Sequence, residues 1–151
     1  MTMHKRNALK LIATSILLAL SKTLYAANSW PQALFSSDSS EDVIRNLSQS
    51  TTTIQSQDIH IKVPEIAENG AVVPITVSST LPDIETISIL VDNNPTPLTS
   101  TFVLSKYAVA KVSTRVKMAA TSNVIALLSD RQGQHFTASK NIKVTIGGCG
   151  G

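Results

Sequence analysis

Cysteine occurs once in this 151-residue chain, at Cys149, and that scarcity excludes an internal disulfide. Tryptophan also occurs once, at Trp30, ahead of every segment that reads as a strand. The chain therefore has neither the disulfide nor the core tryptophan of antibody domains. No His, Asp or Glu cluster has metal-ligand spacing, since His60 and His135 stand apart, and this argues against a metal site. Charged residues make up only 15% of the chain and hydrophobic ones 42%, the balance of a globular protein rather than a disordered one. Long apolar runs are missing too. The longest predominantly apolar stretch, Leu11 to Leu20, is about half of what a membrane span needs.

That stretch follows a basic Met1 to Lys10 and reads as the core of a secretory signal peptide cleaved after Ala26 or Ala27, which implies export to the periplasm. His4 to Lys10 resembles a twin-arginine signal in which Lys5 replaces the first arginine and Ala8 the usual large apolar residue. The leader also explains the formal charge of +3. It holds Lys5, Arg6, Lys10 and Lys22 without an acid, and 13 basic residues less these four leave nine against 10 acidic. Those nine are dispersed, so no electrostatic footprint for nucleic acid is present.

Beyond the leader the hydrophobic period changes once. Ser39 with Asp42 fits a capping-box-like start, and Val43, Ile44 and Leu47 share a helical face, so a short helix is expected over residues 41–49. Its stripe either covers the core or meets a partner. Ser48 to Gln57 reads as a flexible linker. From Asp58 the period is two: Ile59, Ile61 and Val63 alternate with His60 and Lys62 until Pro64. Asn69-Gly70 suggests a tight turn with positive φ, followed by a strand from Ala71 to Ser79. Pro74 cannot donate to a ladder and places that strand at a sheet edge or bulge.

Further strands are expected over 85–92, 97–105, 108–118, 123–129 and 134–146, with Asn93 to Pro97 and Asp130 to Gly133 as turns. The 123–129 segment is apolar on both sides, as a central strand would be. Seven short strands without helical periodicity indicate an all-β, immunoglobulin-like β-sandwich with a short N-terminal helix. The organisation is a signal peptide over 1–26, a helical segment and linker over 27–57, a sandwich over 58–146 and a glycine arm over 147–151.

That arm, Gly147-Gly148-Cys149-Gly150-Gly151, sets the only thiol on an almost naked backbone. Glycine visits both halves of φ/ψ space, so the arm is expected to be flexible, with mobility beginning at Gly147. Fully extended, five residues reach about 17 Å, enough to present a thiol inside another protein's pocket. A prenylation box would need the cysteine one position earlier, and a phosphate-binding loop would need a helix after it. His60 is expected to face solvent. Glu65 and Glu68 flank the Gly70 turn and read as solvated carboxylates rather than an acid/base pair. Two other uses of the thiol stay open: an interchain disulfide in an exported binding or structural module, and a thiol enzyme pairing Cys149 with His135.

Val144-Thr145-Ile146-Gly147-Gly148-Cys149-Gly150-Gly151 resembles the C-terminal signature of the SoxY family, the sulfur-carrier subunits of the bacterial Sox thiosulfate-oxidation system. Pro64 to Gly70 with Val73-Pro74-Ile75, Asn94 to Pro97, Thr101-Phe102, Ser113-Thr114-Arg115 and Asn123-Val124 are similar to that family as well, so the likeness runs from about Asp58 onward. The resemblance implies a non-catalytic carrier with no resident cofactor, paired with SoxZ. Cys149 would be the covalent attachment site, and Gly147, Gly148, Gly150 and Gly151 the arm. The heme-bearing SoxAX would join thiosulfate to Cys149, SoxB would release sulfate, and a sulfane dehydrogenase would oxidise the remaining sulfur.

The nearest fixed charge to the thiol in sequence is the α-carboxylate of Gly151, and like charge disfavours ionisation. The free thiol is therefore expected to be unactivated. Alkylation rate against pH is predicted to have its midpoint at or above the model-thiol value of about 8.5. A midpoint well below it would mean that the chain activates its own cysteine.

Overall fold

The structure is a computed structural model that describes residues 32–49 and 52–145. The leader, Trp30, Ile146 and the glycine arm with Cys149 lie outside the described residues, and the readings made of them stay expectations.

Two short helices come first, α1 (Gln32–Phe35) and α2 (Ser40–Ser48). Ser39 caps α2: its Oγ accepts the Asp42 N–H at 3.1 Å, and Gln49 ends the helix in the left-handed region at φ 50°. The strands are β1 (Ile54–Gln55), β2 (Ile59–Lys62), β3 (Ile66–Ala67), β4 (Val73–Ser79), β5 (Ile84–Val91), β6 (Leu98–Val103), β7 (Lys111–Val116), β8 (Ser122–Asp130) and β9 (His135–Val144). All seven strands expected from periodicity are present, in two facing sheets of an immunoglobulin-like sandwich. The larger sheet runs β1-β9-β8-β5-β6 with β3 also on β9; the smaller is β2-β4-β7.

Each strand's face follows from its alternation. Val73, Ile75 and Val77 of β4 meet Ile87, Ile89 and Val91 of β5, with Val124, Ala126 and Leu128 of β8 and Ile142 of β9, in one buried core. Ile84 faces the same core although it stands three positions, an odd number, before Ile87. A bulge at Glu85 inserts one residue between the pairs Ile84–Asp130 and Thr86–Ser129 and restores the face. The doubly apolar β8 is central, paired to β5 and β9, and its outer Leu127 clusters with Leu90, Leu98 and Val43 of α2. The helical stripe thus covers the sheet and is not free for a partner. Burying Val43, Leu90, Leu98 and Leu127 contributes about 1.5–3 kcal/mol each.

Three expectations are corrected. Within the 48–57 segment read as a linker, Ile54 and Gln55 form β1 and pair in parallel with Phe136 and Thr137. Polar composition concealed this because so short a strand has no period to read. Pro74 is not on an outer strand: β4 is central in the small sheet. Its neighbour β2 stops at Lys62 opposite Thr76, so the ladder at Pro74 faces only β7, through Arg115, and the missing donor costs nothing there.

Gly70 does not supply positive φ; among the described residues Gln49, Asp83 and Gly133 do. Its constraint is proximity. A Cβ built on Gly70 would lie 2.5 Å from the Met118 carbonyl oxygen and 3.0 Å from Val144 Cγ1, while the Gly70 carbonyl accepts the Met118 N–H at 2.7 Å. Because the obstructing atom is backbone, Gly70→Ala is predicted to lower stability by about 1–3 kcal/mol. Hydrogen exchange of the Val144 and Thr145 amides should speed up in the same variant, and an unchanged unfolding curve would contradict the close approach.

Candidate functional site

The thiol identified from sequence lies four residues beyond Thr145, the last described residue, so the site is defined by how β9 ends. Strand β9 pairs with β8 from the Ser129–His135 pair to the Ser122–Ile142 pair, and this pairing carries the chain straight toward the arm. On its other side β3 runs parallel to the final residues, with Ile66 opposite Lys143 and Ala67 opposite Val144. The Lys143 N–H donates to the Glu65 carbonyl at 3.1 Å, and the Thr145 N–H to the Ala67 carbonyl at 3.1 Å. The Val144 N–H turns the other way and donates to Thr121 Oγ1 at 3.0 Å. Three successive amides are thus held from two sides, and that alternation fixes the direction of the backbone leaving the sheet.

Thr121 is itself held by the turn between β5 and β6. Asn93 Nδ2 donates to the Thr121 carbonyl at 2.8 Å, and the Asn93 N–H to Ser122 Oγ at 2.9 Å. Asn94 spans the neighbouring residues, donating from Nδ2 to the Lys117 carbonyl at 2.7 Å and accepting the Ala119 N–H on Oδ1 at 2.9 Å. The two asparagines therefore work as side-chain braces for the β7–β8 connection as well as forming the turn expected of them. The sequence marks Asn93 to Pro97 as a turn but gives no sign of Thr121, because a threonine in a polar loop has no distinguishing pattern. The Asx side chains ahead of Pro95 were the available signal, since such residues commonly bond nearby backbone.

The other candidates do not gather at this end. His135 starts β9, and its Nδ1 is 2.7 Å from Ser129 Oγ. Nine residue steps separate it from Val144, about 30 Å of strand. His60 is exposed on β2 opposite Ser78. Glu65 and Glu68 expose their side chains, and the use made of Glu65 is its carbonyl. No group of three or more His, Cys, Asp or Glu among the described residues could hold a metal ion. No helix among them is long and apolar enough to cross a membrane. What the described residues build at the end of β9 is a scaffold that fixes where the chain leaves the sheet, while the Ser129–His135 pair lies at the strand's other end.

Comparison with known proteins agrees with this architecture. The sulfur carrier protein SoxY from Chlorobium limicola f thiosulfatophilum superposes with a TM-score of 0.63 at 37% identity, over 70% of this chain and 94% of that one. Superoxide reductase (neelaredoxin) from Ignicoccus hospitalis superposes with a TM-score of 0.52 at 19% identity, over 59% of this chain and 81% of that one, a likeness of fold alone. No curated protein sequence matches the chain significantly. The family model for the sulfur oxidation protein SoxY matches residues 44–149, a span that takes in the second half of α2, both sheets, the braced end of β9 and Cys149. The chain belongs to the SoxY family of sulfur oxidation proteins.

Proposed function

We propose that this chain is a non-catalytic sulfur carrier of thiosulfate oxidation, exported to the periplasm, which holds substrate sulfur covalently on Cys149 and presents it to partner enzymes. The observation that carries the reading is the end of β9. Its last amides are fixed by Glu65, Ala67 and Thr121, and after Ile146 come Gly147, Gly148 and the only cysteine, inside the span matched by the family. A fixed root limits the volume the thiol must search, and glycines give a backbone narrow enough for a channel.

In the loading step the Cys149 thiol and thiosulfate lose two electrons and one proton to form Cys149–S–S–SO3⁻. The new bond joins Sγ to the outer sulfur of thiosulfate, and the heme enzyme SoxAX takes the electrons. Hydrolysis by SoxB then adds water across the S–S(O3) bond, releasing sulfate and two protons and leaving a persulfide, Cys149–S–S⁻. A sulfane dehydrogenase would oxidise that sulfur further. The carrier works beside SoxZ and needs no resident cofactor, because both the electrons and the water are handled by its partners.

Separation within the chain supports a carrier over a thiol enzyme using Cys149 with His135. From Val144 to Cys149 the backbone spans at most about 17 Å, against about 30 Å of strand back to His135. The activating groups are therefore assigned to the pockets that receive the arm.

Intact-mass analysis after incubation with thiosulfate and the partner enzymes is predicted to show a sulfur adduct on the native chain and none on Cys149→Ser. A stable disulfide dimer with no adduct would favour the interchain-disulfide reading. Gly148→Val should keep the unfolding midpoint while lowering thiosulfate turnover by at least about tenfold, a loss equivalent to roughly 1.4 kcal/mol in the transition state. Unchanged turnover would remove the narrow-channel account of the glycines.

A further inference from the structure

The fold does not use every apolar side chain near the root of the arm. In β3, Ala67 is buried against the core, while Ile66, one residue earlier and on the opposite face, is 55% exposed beside Lys143. Val72, two residues beyond Gly70, is 50% exposed. A two-residue strand held by backbone bonds has no need of an isoleucine on its outer face, where any strand-forming polar residue would serve the ladder. Single exposed apolar residues are ordinary on protein surfaces, so position must decide whether these two matter.

Position is set by the length of chain beyond the described residues. Cys149 follows Thr145 by four residues, a reach of at most about 14 Å. Any pocket that takes the thiol must open within that distance of Thr145, so the enzyme carrying it comes to rest over the end of β9. Ile66 lies directly on that ground, because its strand neighbour Ala67 accepts the Thr145 N–H. Exposed charges nearby are of both signs, Glu65 and Glu68 against Lys117 and Lys143, and give no single-sign field for recognition. Apolar contact is what remains.

We infer that Ile66, supported by Val72, is the apolar anchor on which the enzymes that load and unload Cys149 dock, seated against an apolar rim around the mouth of the channel that admits the arm. This inference rests on the carrier reading above and adds to it the surface that the visiting enzymes share. Of the other exposed large apolar residues, Val103 ends β6, Tyr107 and Val109 lie in the connection from β6 to β7, and Ile54 of β1 sits opposite Phe136 near the start of β9. All four lie at the opposite end of the strands, since β6 begins and β7 finishes at the end where the arm departs and Phe136 belongs to the start of β9. The arm cannot bring Cys149 to a pocket docked there.

The test follows loading of the reduced carrier, with its partner subunit, thiosulfate, the loading enzyme and an added electron acceptor, by intact mass as carrier concentration is varied. Ile66→Asp is expected to lower the rate at low carrier concentration about tenfold, with the saturating rate near that of the native chain, as for loss of a central apolar contact. Val72→Ser is expected to lower it about threefold and Tyr107→Ser to leave it unchanged. Ile66→Thr keeps the branched shape and strand pairing while losing one apolar group, and should fall between the native chain and Ile66→Asp. Iodoacetamide should alkylate Cys149 at the native rate in every variant.

Native loading kinetics in Ile66→Asp would overturn the inference and leave the carrier reading intact. An adduct on Cys149→Ser would overturn the carrier reading itself. A loss in Ile66→Asp equalled by Tyr107→Ser, or absent from Ile66→Thr, would mean general damage to the chain and would also overturn the anchor.

Discussion

The backbone pairing of Glu65, Ile66 and Ala67 with the last residues of β9 is the constraint on which the candidate site depends. The chain passes from β1 on the large sheet to β2 on the small one and back to β3 on the large one. That crossing closes one side of the sandwich and brings β3 to the strand that carries the arm. Gly70 is the price of the closeness, since the next turn runs directly over the Met118 carbonyl and the Val144 side chain. A parallel pair of two residues would not be stable by itself. It persists because Ala67 and Ile142 are buried in the main core and Val144 packs against it.

The sandwich divides its surfaces between tasks. One face of the large sheet packs on the small sheet, and α2 covers the other over β5, β6 and β8. At the end where β9 finishes, side-chain amides and a hydroxyl bond to backbone groups, a means of fixing loops without enlarging the core. At the other end, the Asp130 turn is closed differently. Its carboxylate accepts the Gln132 and Gln134 amides at 3.0 and 2.7 Å, and Gly133 provides the left-handed residue at φ 81°. The β8–β9 hairpin therefore starts from a well-defined turn, and its register is set before the strand reaches the arm.

How much of this is legible in the sequence depends on the range of the interaction. Period-two alternation located every long strand, and the double apolarity of Val124 to Leu128 identified the central one, because burial on two faces removes the polar half of the pattern. The Ser39 cap and the helical face of Val43 were equally readable, being local chemistry. Strands β1 and β3 were not, because two residues cannot display a period and their partner lies some 80 residues away in sequence. Pro74 misled for a related reason: the rule about proline concerns one stretch of ladder, and a strand can be central along part of its length and an edge along the rest. The cysteine and its glycines were legible from composition alone, whereas Thr121 and the asparagine braces belong to loop–loop contacts that only the folded chain creates.

The hydrogen bond between Thr145 and Ala67 joins residues 78 apart in sequence. Loops of that length close late, after local hairpins such as β8–β9 have formed, because their ordering entropy must be met before the contact returns anything. The arm therefore acquires its fixed origin only when nearly the whole domain is in place. A nascent or partly folded chain would carry the same cysteine on a longer and undirected tether, and would present it at a far lower effective concentration to any pocket. For the carrier proposed above, completion of the fold and readiness of the thiol would be one event.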